Sequence, residues 1–199
     1  NLMAAIPAWP PASTPRLYVD QRIDPASQPV IDGSAAHYLI QVMRLKVGDP
    51  ILLFDNISGE WLAVAQDVAK KSATFRIERK MREKEVVPDL WLCFAPVKKA
   101  RLDFIIEKAT ELGIARLQPV ITERTIVERV KQERLQAQII EACEQCGRTA
   151  LPELAEPIKL PQLLKHWQAE RAIIFADEAG GQPMHDLHVP PPAAIFVGP

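Results

Sequence analysis

Leu90-Trp91-Leu92-Cys93-Phe94-Ala95, then Lys98-Lys99-Ala100-Arg101-Leu102-Asp103-Phe104-Ile105-Ile106-Glu107-Lys108-Ala109-Thr110-Glu111-Leu112-Gly113, then Ile114-Ala115-Arg116-Leu117-Gln118-Pro119-Val120-Ile121 is the stretch that decides the fold. Its first part is apolar without alternation, which suits a strand buried on both faces. In the second part Leu102, Ile105, Ile106, Ala109 and Leu112 recur at helical spacing, and Gly113 stops the helix. The third part is again a strand. Strand, helix and strand in such close succession predict a parallel sheet, so this region is expected to be α/β.

The same alternation continues downstream. Leu135, Ile139, Ala142, Cys143 and Cys146 share one face of a second helix that Gly147 and Pro152 end. A short helix is expected over residues 161–168, and strands over 172–176 and 193–197, around a connection rich in Gly and Pro. Ligands of such sheets bind beyond the carboxyl ends of the strands. That points to residues 95–99, 122–125, 177–181 and Gly198-Pro199.

Upstream, the charged run Arg79-Lys80-Met81-Arg82-Glu83-Lys84-Glu85 and Pro88 mark a change of pattern, read as a domain boundary. Before it lie short strand signals at 17–19, 30–31, 51–54, 61–68 and 73–77, with a hairpin loop at Asn56-Ile57-Ser58-Gly59. One helix interrupts them, from Ser34 as N-cap to Met43 or Arg44. The expectation is a small β barrel over 16–84, an α/β domain over 85–199, and a disordered tail over 1–15, where Pro7, Pro10, Pro11 and Pro15 favour an extended chain.

The chain has 199 residues, 48% of them hydrophobic, and a formal net charge of −1, so any nucleic-acid site must be a local patch. Three cysteines form no disulfide framework, no secretory signal pattern opens the sequence, and no apolar run reaches the ~20 residues of a membrane span. A reduced, cytoplasmic protein without membrane or metal is expected. Cys143-Glu144-Gln145-Cys146 lacks a second pair for zinc, and its place near a helix C-terminus disfavours a redox thiolate, so core packing is the expected role. Dinucleotide, P-loop, serine-elbow and metalloprotease patterns do not occur.

Two constellations remain. Lys98, Lys99 and Arg101 lie between a strand and its helix, where they suit either RNA phosphate or an ordinary solvated helix start. His37, Gln41 and Arg44 fall at i, i+4 and i+7, a donor strip for RNA or a plain exposed face. Residue chemistry alone thus supports a two-domain α/β protein with an anion-friendly junction and names no reaction.

The run from Lys98 to Gly113, together with Thr122-Glu123-Arg124 and Glu141-Ala142-Cys143-Glu144-Gln145-Cys146-Gly147-Arg148, resembles the RsmE-type 16S ribosomal RNA (uridine-N3) methyltransferases. Arg16-Leu17-Tyr18 and His37-Tyr38-Leu39-Ile40-Gln41-Val42-Met43-Arg44-Leu45-Lys46-Val47-Gly48-Asp49 are similar to that family's first domain. The resemblance implies a PUA-like RNA-binding barrel, a SPOUT domain with a trefoil knot, and S-adenosylmethionine (SAM) as methyl donor. It also implies 16S rRNA or the small ribosomal subunit as partner, and a homodimer. By the same resemblance Arg16, Arg124 and Arg148 serve the active site, and Phe175, Ala176, Glu178, Val197, Gly198 and Pro199 the donor. Lys98, Lys99 and Arg101 would grip RNA phosphate, with His37, Gln41 and Arg44 as further RNA contacts. Ile195-Phe196-Val197-Gly198-Pro199 resembles the start of the family's Gly-Pro-Glu-Gly-Gly loop, where this sequence stops, so the knot is expected to be truncated. No residue stands out as general base. The rival readings are a non-catalytic RNA-binding protein with a degenerate SPOUT domain, and a SPOUT enzyme acting on transfer RNA.

Overall fold

The computed structural model describes residues 10–125, 130–177 and 179–198. Contacts divide the chain into two compact units between Glu85 and Val86.

The first unit is a five-stranded sheet in the order β1-β3-β4-β5-β2, from β1 (Arg16–Tyr18), β2 (Val30–Ile31), β3 (Pro50–Phe54), β4 (Glu60–Val68) and β5 (Ala73–Arg82). β1 runs parallel to β3 and the other pairs are antiparallel. Three register shifts between β4 and β5 bend the long hairpin, as bulges do. Alternate residues such as Ile51, Leu53, Phe75 and Ile77 thereby face one core, which Ala36 and Leu39 of the helical segment also fill. Removing each such apolar side chain from water favours folding by roughly 1.5–3 kcal/mol.

Four details depart from the reading of the sequence. The helix α1 (Gly33–His37) has Asp32, not Ser34, as N-cap and continues as a π-helical turn over Tyr38–Val42. The charged run does not lie wholly between domains, because Arg79, Lys80 and Arg82 pair with Leu62, Trp61 and Glu60 inside β5. Their long stems suit a strand face: Lys80 Nζ lies 5.2 Å from the Trp61 ring centroid, and Arg82 binds Glu60. The expected tail is built in at its described end, where Thr14 N–H bonds Pro11 O and Leu52 N–H bonds Pro15 O. Residues 1–9 lie outside the described residues.

Two buried carboxylates organise this unit. Asp55 accepts hydrogen bonds from the N–H groups of Ile23, Ile57 and Ser58 and from Ser58 Oγ, which shapes the hairpin loop. Gly59 closes that loop at φ +101°, and a Cβ there would collide with the carbonyl oxygen of Arg82. Glu60 is held between Arg16 and Arg82. Burial alone would raise both carboxyls, but their hydrogen bonds outweigh it and hold them below the usual carboxylate range.

The second unit is an all-parallel sheet in the order β10-β11-β6-β7-β8, with β9 also on β7. Along the chain come β6 (Leu90–Phe94), α2 (Lys99–Leu112), β7 (Arg116–Ile121), α3 (Gln132–Cys146), β8 (Glu153–Leu154), β9 (Ile158–Lys159), α4 (Leu160–Lys165), β10 (Ala172–Phe175) and β11 (Ala193–Val197). α2 buries Leu102, Ile106, Ala109 and Thr110. Leu112, expected on that stripe, is 81% exposed, since it is the last residue of the helix and lies about 60° beyond Ala109 at the edge of the buried arc. Thr110 takes a core place because its hydroxyl donates to Ile106 O at 2.8 Å. On α3, Leu135, Ile139, Ala142 and Cys143 are buried as expected, but Cys146, the helix's last residue, is exposed.

Pro119 brings no N–H to the ladder, and the strand beside β7 is broken near that level into β8 and β9. The buried Gln118 carboxamide spans the break by donating to Glu156 O at 2.9 Å. At the amino edge Arg171, 5% exposed, binds Asp89 and the carbonyl of Ala193, clasping the starts of β6 and β11.

Removing Glu60 takes away the carboxylate shared by the part-buried Arg16 side chain and Arg82. Glu60→Ala is therefore expected to destabilise the first unit by about 3 kcal/mol in urea unfolding, and Glu60→Gln by less. Because Asp55 and Glu60 are depressed in the folded state, their contribution is full above the unfolded carboxylate range, about pH 4, and is lost as pH falls through the folded values. Acid unfolding followed by circular dichroism should start at higher pH in Glu60→Gln, because that variant begins with less stability in hand.

Candidate functional site

β11 is added last in sequence yet lies between β10 and β6. β6 leads on to β7 on one side of it, while its neighbour on the other side, β11, is reached from β10, so a crevice opens at the carboxyl ends of the strands. A cavity of about 610 Å³ occupies it, a size typical of small-molecule sites. Its inner wall is apolar: Cys93 of β6, Val120 of β7 and Phe196 of β11, which belong to one cluster with Leu163 and Ala194. Burial pushes the Cys93 thiol up to about 12, despite Arg116 and Arg171 nearby, so it stays protonated at neutral pH.

The two sides of the mouth differ in character. On one side stand Phe175, a residue 66% exposed, and Val197-Gly198. The strand ends there are fixed by Ala95 N–H to Val197 O at 3.1 Å and Ala176 N–H to Phe196 O at 2.9 Å. On the other side Thr122 and Thr125 close a turn, with Thr122 N–H donating to Thr125 Oγ1 at 2.8 Å, and the turn lifts Glu123 and Arg124 to the rim. Lys159, in register with Ile121, completes that side.

Of the residues singled out in the sequence, Phe175, Val197, Gly198 and Arg124 line this cavity, and Ala176 adjoins it. Lys98, Lys99 and Arg101 are exposed at the start of α2, beyond the carboxyl end of β6. Glu178 and Pro199 lie outside the described residues. Arg148 is not brought to the cavity: its Nε donates to Glu111 O at 2.9 Å and its guanidinium lies against Gly113, at the amino edge of the sheet. That packing requires the glycine, whose φ is +81°.

Arg16 is likewise committed, to Glu60 and to the Phe54 ring 4.1 Å from its Cζ. His37, Gln41 and Arg44 are exposed in the first unit but do not form the expected helical strip. The π-helical turn alters their spacing, and Arg44 has left the helix with φ +57°. Lys159 was not foreseen, since the two-residue strand that carries it has no periodicity to read; Ile158, apolar between Pro157 and Pro161, was the available signal.

Among the described residues no group of three or more His, Cys, Asp or Glu is placed to hold a metal, and no helix is long and apolar enough to cross a membrane.

Residues 83–199 match the RNA methyltransferase domain family, and residues 31–78 match the RNA methyltransferase PUA domain. Ribosomal RNA small subunit methyltransferase E of Rickettsia conorii is 31% identical over 164 residues, 82% of this chain and 66% of that protein. The protein of the same name from Synechocystis sp. is 35% identical over 131 residues, 65% of this chain and 43% of that one. The chain thus spans about two-thirds or less of the length of these curated relatives. A Legionella pneumophila methyltransferase solved with bound SAM superposes with a TM-score of 0.83 at 30% identity, covering 94% of this chain and 80% of that one. Ribosomal RNA small subunit methyltransferase E from Neisseria gonorrhoeae, bound to S-adenosyl methionine, gives 0.79 at 26% identity with the same coverage.

The environments of the cysteines give a direct check. Native protein at neutral pH is expected to show one fast-reacting thiol, Cys146, with Cys93 and Cys143 reacting only on unfolding. Timed alkylation read by peptide mass spectrometry distinguishes them; early labelling of Cys93 would contradict the closed inner wall.

Proposed function

We propose a function from the premise that the chain belongs to the RNA methyltransferase family, with that family's PUA domain ahead of the methyltransferase domain. The protein methylates small-subunit ribosomal RNA at N3 of a uridine, with SAM as donor. One observation carries this reading: the cavity at the carboxyl ends of the parallel sheet, in a chain similar to two solved proteins that hold SAM.

The residues present suit that donor. Phe175 offers an exposed ring face to a purine, and the strand ends at Ala176 and Val197-Gly198 offer backbone groups to a nucleoside, with Glu178 and Pro199 adjoining in sequence. Bound there, SAM supplies a methyl group on an electron-poor sulfonium. Cys93, protonated and buried, neither takes a proton nor attacks that methyl. N3 of uracil carries a proton and must lose it, so negative charge builds on the ring; Arg124 at the rim is the cation suited to offset it. Lys98, Lys99 and Arg101 hold backbone phosphate, and His37, Gln41 and Arg44 add RNA contacts from the PUA unit. Arg16 and Arg148 act through packing.

The finer features belong to the same reading: a PUA-type barrel around the first sheet, a SPOUT trefoil knot completing the second, a homodimer, 16S rRNA or the small subunit as partner, and a cytoplasmic location.

Incubating the intact protein with SAM and small-subunit rRNA, followed by nucleoside mass spectrometry, is expected to yield 3-methyluridine. Arg124→Ala should lower kcat by about 100-fold, the scale of losing one charge-stabilising donor. RNA bound without any methylated nucleoside would sink the reading.

A further inference from the structure

The two sides of the cavity mouth are chemically unlike. Opposite Phe175 stand Glu123, Arg124 and Lys159, all exposed. None of the three makes an ion pair or hydrogen bond through its side chain with any described residue. Elsewhere in this unit Lys108 and Arg134 each pair with a carboxylate. β7 and β9 hold the group in place, since Ile121 and Lys159 are register partners and the turn carrying Glu123 begins at the next residue.

A rim meant only for phosphate gains nothing from a carboxylate, because Glu123 repels the same anion that Arg124 and Lys159 attract. Opposite charges left unpaired beside an apolar cavity complement a zwitterion. With the cation of Arg124 assigned to the acceptor base, one cation and one carboxylate remain.

We propose that Lys159 and Glu123 read the amino-acid end of the methyl donor, Lys159 taking its α-carboxylate and Glu123 its α-ammonium. The proposal rests on the reading of this cavity as the donor site and makes the two residues determinants of donor specificity. They discriminate against adenosyl compounds lacking the amino-acid head group, which bind the Phe175 side alone.

Calorimetric titration of the intact protein with SAM, decarboxylated SAM and 5′-methylthioadenosine tests this without any turnover. Wild type is expected to bind SAM about tenfold or more tightly than decarboxylated SAM. Lys159→Ala should erase that preference by weakening SAM alone. Glu123→Gln should weaken both amine-bearing ligands, and methylthioadenosine should bind all three proteins equally, which also shows that the variants fold.

Equal affinity of wild type for SAM and decarboxylated SAM, with methylthioadenosine bound, would overturn the proposal and leave the donor site standing. So would a Lys159→Ala variant that keeps the preference but loses RNA affinity and about one unit of salt slope, since that marks a phosphate contact. Failure of all three ligands to bind wild type would remove the donor site itself.

Discussion

The second unit depends on one pairing, the insertion of β11 between β10 and β6. Until it forms, β6 and β10 both have an open edge toward the gap, and Cys93 and Ala194 have no common core. Backbone hydrogen bonds left without partners in such a place are costly, so the strand must be apolar on both faces and must enter parallel. Ala193, Ala194 and Phe196 meet the first demand. The second is secured at the amino edge, where Arg171 gathers Asp89 and Ala193 O while its guanidinium lies 3.9 Å from the Trp91 ring centroid. The cavity is what remains at the other end, where connections diverge.

Polar groups elsewhere serve the fold in the same manner. Gln118 spans the gap between two strand fragments, Asp55 gathers the donors of its loop, and Glu60 holds two arginines across the first sheet. The contrast between Arg16 and Arg124 follows from it. Both were candidates for the reaction on grounds of residue type and resemblance, but a buried carboxylate captures the first, whereas the turn at Thr122 leaves the second at a cavity mouth.

The elements legible in the sequence were those with a period long enough to count. The apolar run of β6, the stripes of α2 and α3, and the glycines ending both helices were readable from local physics. The two-residue strands β8 and β9 were not, because two residues carry no period, and Lys159 was missed with them. The π-helical turn was hidden too: nothing in Tyr38-Leu39-Ile40-Gln41-Val42 distinguishes a wider turn from an ordinary one. The position of Phe175 and Gly198 at the cavity followed from the rule that ligands sit beyond strand ends, joined to the family resemblance. Which arginines line the cavity did not follow, since that depends on carboxylates distant in sequence.

The placement of β11 also bears on the order of events during folding. Leu90 and Ala193 are neighbours in the sheet but about a hundred residues apart along the chain. A nascent chain emerging from its amino end can build the first unit, and then β6, α2 and β7, well before β11 exists. During that interval the outer edge of β6 is open and apolar, the kind of surface that pairs with other chains. The cavity wall should therefore form late during synthesis, and the half-made sheet is the stage at which this protein most needs protection from aggregation.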